Sequence, residues 1–60
     1  MYKILEVVGR ASEGFSEAVK AAVNKVVESG QKAHYFEVIE QRGLIKDNHL
    51  KEYQVIVKIA

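Results

Sequence analysis

Three side chains in the sequence have types suited to holding a ligand: Tyr35, Gln54 and Arg42. A tyrosine ring offers a flat face for stacking. A glutamine amide offers a donor and an acceptor side by side. Arg42, next to Gly43, has the planar cation that contacts phosphates, but it also has acids to pair with in Glu40 and Glu52. Each has a plainer alternative: a space-filling tyrosine in an interface, a solvent-facing glutamine, a surface ion pair. The other reactive types form no site. The absence of cysteine removes disulfides, thiolate metal sites and cysteine nucleophiles. His34 and His49 are fifteen residues apart and do not make a metal site by themselves; only a symmetric contact between copies would gather them. Strand alternation puts Glu37 and Glu40 on opposite faces, so they are not expected to act as an acid–base pair. The segment Gly9-Arg10-Ala11-Ser12-Glu13-Gly14 has neither Walker nor dinucleotide-loop spacing and reads as a strand-to-helix connection. No nucleophile stands beside a base, so a turnover enzyme is not expected.

The chain that must position these residues is short. Sixty residues make one domain, residues 1–60, and a thin core. Without disulfides or a metal, oligomerisation is the remaining way to support so small a fold. Nine basic and eight acidic residues give a net charge of +1, which leaves no electrostatic footprint for nucleic acid or an anionic membrane. Lys3 and Glu6 interrupt the apolar N-terminal run, so no signal peptide is expected, and no stretch has the length of a membrane span. A cytoplasmic location is the default. With no proline and four glycines, there is no linker, repeat or low-complexity segment.

Residues 2–8 are β-branched and aromatic and read as a strand, broken from Gly9 to Ser12. Ser12 is the expected N-cap of a helix. Phe15, Ala18, Val19, Ala22, Val23, Val26 and Val27 then recur at spacings of three and four, forming one flat, small-residue stripe suited to a sheet. Lys20, Asn24, Lys25 and Glu28 fall on the wet side, and Gly30 is placed to end the helix. Residues 33–45 and 50–60 read as strands joined by a turn at 46–49, with Gly43 a candidate bulge. In the last strand Tyr53, Val55, Val57 and Ile59 should face the helix, with Phe36 and Val38 beside them. Tyr35, Glu37, Ile39, Gln54, Ile56 and Lys58 then share the opposite face, which a single copy leaves open. A right-handed crossover makes the first two strands parallel, and the last strand fits between them. The expected fold is α+β: β-α-β-β with a three-stranded antiparallel sheet, order 1-3-2, on one helix.

Four elements carry a family resemblance: Val8-Gly9 before a serine-containing helix start, Tyr35-Phe36-Glu37-Val38, Arg42-Gly43, and Glu52-Tyr53-Gln54-Val55. In order and spacing, over almost the whole chain, they resemble the dodecins. The resemblance implies a hollow homododecamer that binds and stores flavin at contacts between subunits and catalyses no reaction. It implies a flavin pair stacked between aromatic residues, with a glutamine on the isoalloxazine edge. Those positions correspond to Tyr35 and Gln54, and Arg42 corresponds to an arginine near the flavin side chain or phosphate. The implied cofactor is FMN or riboflavin; the implied partner is the chain itself, with no nucleic acid or membrane. Tyr35 replaces the family's tryptophan, so its smaller ring predicts weaker stacking. The sequence ends at Ala60, short of an aromatic and a basic residue with which dodecins usually continue, and the phosphate contact from that tail is expected to be missing. The alternative is the same cage without flavin, serving a structural role or binding a metal ion or another small ligand.

Overall fold

The computed structural model describes residues 4–60. Strand β1 spans Leu5–Ala11, helix α1 Phe15–Glu28, β2 Phe36–Lys46 and β3 His49–Ile59. The element order is the expected β-α-β-β. β3 lies in the middle and is antiparallel to both neighbours, giving the order β1-β3-β2. A hairpin places β3 beside β2, and the helical crossover leaves the slot between β1 and β2 for it to fill.

β1 runs further than its sequence suggests. Gly9, Arg10 and Ala11 stay in the ladder, opposite Val55, Gln54 and Tyr53. Tyr2 and Lys3 of the expected strand lie outside the described residues. Gly9 reads as a break but serves as a contact. A Cβ there would overlap the Ala18 carbonyl oxygen and stand 2.9 Å from Ala22 Cβ, so the helix backbone touches the sheet at this point. Because pairing continues to Ala11, Ser12 and Glu13 become the connection. The N-cap is Gly14, with no side-chain cap hydrogen bond, and the expected Ser12 cap does not form.

The helix ends as its glycine predicts. Gly30 has φ +89°, its N–H donates to Val27 O and Gln31 N–H donates to Val26 O, which is a Schellman closure. Ser29 Oγ adds a hydrogen bond to Val26 O at 2.6 Å. The β2–β3 turn has positive φ at Asp47 (53°) and Asn48 (62°), between the paired residues Lys46 and His49. This is the two-residue hairpin whose twist matches that of its strands.

The core is the small-residue stripe against one face of β3: Ala18, Ala22 and Val26 on Val55, Val57 and Ile59. Leu5, Val7, Val19, Val23 and Val38 pack around it. The ends of the stripe are less covered than the periodicity suggests. Val27 is exposed, and Phe15 is at the rim, in an edge-on contact with Tyr53 at 5.0 Å. Phe36 does not join the core with Val38; it is 49% exposed. The reason is that α1 lies mainly over β1 and β3 and leaves β2 largely uncovered except at Val38.

Two irregularities bend the hairpin, and neither is at Gly43, which pairs directly with Tyr53. Ile39 is an extra residue in β2, between the pairs Val38–Val57 and Glu40–Ile56. Lys51 is an extra residue in β3, between Leu44–Glu52 and Ile45–Leu50. The first bulge changes the faces. Glu37 stands opposite Lys58 and Glu40 opposite Ile56, so both glutamates are on the open face rather than on opposite faces as strict alternation predicts. The Cα radius of gyration is 12.3 Å, against about 10 Å for a compact domain of this length. The excess reflects a 45 Å long axis.

Candidate functional site

The register decides which candidate residues meet. Gln54 is opposite Arg42 on one side and opposite Arg10 on the other, so the three form one row across the open face. Arg42 Nη2 donates to Glu40 Oε1 at 2.6 Å. Of the two acids that the sequence offers it, Arg42 thus takes Glu40. Glu52 instead serves the other end of the row. Its Oε1 accepts from Gln54 Nε2 at 3.2 Å and lies 3.7 Å from Arg10 Nε.

Tyr35 is not part of this row. It precedes β2 and forms a reciprocal pair with Ala60: Tyr35 N–H donates to Ala60 O and Ala60 N–H to Tyr35 O. Ala60 is six residues beyond Gln54 along β3, about 20 Å at the usual rise of a strand. Tyr35 is 58% exposed. One copy therefore presents the aromatic at one end of the open face and the amide–arginine row towards the other, and does not bring them together.

Between them lie Val8, Ile39, Ile56, Glu37 and Lys58, an apolar patch with charged neighbours. Val8 and Ile39 are exposed and Ile56 is half-buried. Two shallow hollows flank Arg10. One is bounded by Ser12, Glu17, Lys20 and Asn24, the other by Ser12, Lys51 and Glu52. Neither includes Tyr35, Gln54 or Arg42. His34 and His49 stand at opposite ends of the β2–β3 hairpin, and among the described residues no three His, Asp or Glu side chains gather as a metal site.

Sequence reasoning misses Arg10 and the role of Glu52. Arg10 reads as a loop residue only because Gly9 is taken to end β1. One clue points the other way, since the residues after Gly9 include no proline or second glycine before Gly14. Glu52 and Gln54 are two apart in a strand, a spacing that alone puts them on one face.

The family model described as Dodecin matches residues 1–60. A dodecin of Thermus thermophilus is 37% identical over 60 residues, which is all of this chain and 87% of that one. The chain belongs to the dodecin family. Solved dodecin structures agree in shape. A tryptophan-to-phenylalanine variant of the T. thermophilus dodecin superposes with a TM-score of 0.91 at 37% identity, covering 98% of this chain and 88% of that one. The dodecin of Streptomyces davaonensis gives 0.92 at 29% identity, covering 98% and 87%. That of Streptomyces coelicolor gives 0.92 at 36% identity, covering 98% and 84%. Dodecins are generally flavin-binding storage proteins that form homo-oligomers, not enzymes. Among the described residues no helix is long and apolar enough to cross a membrane.

Proposed function

We propose that this chain binds and stores flavin, FMN or riboflavin, in a hollow cytoplasmic homododecamer, with the ligand at contacts between copies. Tyr35 stacks on the isoalloxazine ring. Gln54 hydrogen-bonds its polar edge, and Arg42 reaches the side chain or phosphate. The protein sequesters the flavin and shields it from light, and no catalytic group is required for that.

The observation that carries this reading is the separation of Tyr35 from Gln54 along one open face. A ring and an amide about 20 Å apart in one copy serve a single flat ligand only when two copies face each other. The donor set fits the ligand: an exposed aromatic ring, an amide on the open face and a guanidinium opposite it in the ladder. The apolar patch between them supplies area for the contact.

The test is a titration of the assembled protein with FMN, followed by quenching of flavin fluorescence. Tyr35→Ala should weaken binding by about tenfold or more through lost stacking and area, with the assembly size unchanged. Equal affinity in the variant would refute the stacking role. A wild-type assembly that takes up no FMN would favour the flavin-free cage.

A further inference from the structure

The contacts of Glu52 on the open face have no part in the reading above. Glu52 Oε1 accepts a hydrogen bond from Gln54 Nε2 and is shared with Arg10 Nε. The Glu52 side chain is only 30% accessible, whereas that of Arg10 is 67% accessible. Arg10 comes from β1, directly opposite Gln54 in the ladder. Two strands therefore converge on one carboxylate oxygen.

A glutamine amide has two ends of opposite character. Turning it over exchanges the NH₂ for the carbonyl oxygen. Beside an ionised carboxylate the two orientations are not equivalent. With Nε2 towards Glu52 there is a charge-assisted hydrogen bond; with Oε1 towards Glu52 two acceptors face each other. Glu52 thus selects the first orientation and leaves Gln54 Oε1 as the acceptor for whatever lies over the row. Arg10 anchors Glu52 from the neighbouring strand and offsets its charge.

We propose that Glu52, held by Arg10, is a positioning residue that fixes the amide orientation of Gln54, so that the site selects planar ligands whose ring edge presents an N–H donor. This rests on the flavin reading. In a flavin the donor is the imide N3–H between two carbonyls. A flavin alkylated at N3 has the same ring and side chain but lacks the donor.

The experiment compares the wild-type assembly with Glu52→Ala and Glu52→Gln, each titrated with riboflavin and with N3-methylriboflavin. Wild type should prefer riboflavin. Glu52→Gln should keep that preference, because the Arg10 cation favours the oxygen end of the new amide beside it, and that oxygen still accepts from Gln54 Nε2. In Glu52→Ala the amide can turn over, and the preference should shrink by about fivefold, the scale of one hydrogen bond. An undiminished preference in Glu52→Ala, or an equal loss for both ligands, would overturn the proposal. A second readout needs no ligand: the Gln54 side-chain amide, followed by ¹⁵N NMR, should exchange slowly with solvent in wild type and Glu52→Gln, and faster in Glu52→Ala. If the amide is protected in this pattern but riboflavin does not bind, the flavin reading fails and the orienting role of Glu52 stands. If riboflavin binds while exchange is the same in all three proteins, the orienting role fails alone.

Discussion

On one face of β3, Val55, Val57 and Ile59 are buried almost completely beneath α1. On the other face of the same strand Gln54 and Ile56 are half-covered and Lys58 is exposed. The strand alternates, so each face sees every second residue, and the two sets of residues meet different demands. The helix face is filled by small and branched apolar side chains that need only shape. The open face mixes an aromatic ring, an amide, arginines, glutamates and isoleucines, and in one copy little of this mixture is covered. The contrast teaches where the fold is self-sufficient: the centre of the helix side is buried within one chain, and the open side is the face that the proposed site needs a second copy to complete.

The sharpest way to break this contrast is to attack the point where helix and sheet touch. Gly9→Val inserts a side chain into the Ala18 carbonyl and Ala22. We expect a loss of about 3 kcal/mol or more in denaturant unfolding; a loss below about 1 kcal/mol would mean that the helix can lift without cost. Next comes a matched pair on adjacent residues. Ile59→Ala removes buried methyl groups and should cost about 2–4 kcal/mol, whereas Lys58→Ala on the open face should change stability by less than about 0.5 kcal/mol. Similar losses for the two would erase the difference between the faces.

The hairpin arm tests the other half of the comparison. Ile45 and Leu50 are opposite each other and 67% and 57% exposed. Paired apolar side chains left this open in a single chain are suited to a neighbouring copy. Ile45→Glu together with Leu50→Glu should lower the assembled mass by light scattering while far-ultraviolet circular dichroism keeps its mixed α/β shape. An unchanged mass would exclude the arm from the contact. The smallest effect is expected at the turn. Asn48→Gly at φ 62° should shift stability by less than about 1 kcal/mol, because glycine relieves the left-handed strain but loses more entropy on folding. A larger loss would show that the Asn48 side chain holds the arm.

Much of the fold is legible in the sequence because its signals are local. The Ala–Val stripe, Gly30 and the alternation of residues 53–59 each act through near neighbours, and together with the handedness of the crossover they lead to the observed order. The errors arise where distant elements decide. Gly9 looks like a breaker because its reason for being glycine is Ala18, on another element. Phe36 looks like core because nothing in its own segment shows that the helix stops short of β2. The bulge at Ile39 carries no mark of its own, since neither glycine nor proline stands there, and it moves Glu40 to the face of Glu37. The candidate site shows the same division. Tyr35, Gln54 and Arg42 are recognisable by type and by family spacing. Arg10 and Glu52 become visible only once the β1–β3 register is known.

The most direct measurement is size-exclusion chromatography of the purified protein, with absorbance followed in the protein and flavin bands, before and after addition of FMN. A flavin site completed by a second copy predicts a large assembly with which the yellow flavin co-elutes. A large assembly that stays colourless, with all the FMN in the small-molecule volume, would contradict it and leave the flavin-free cage.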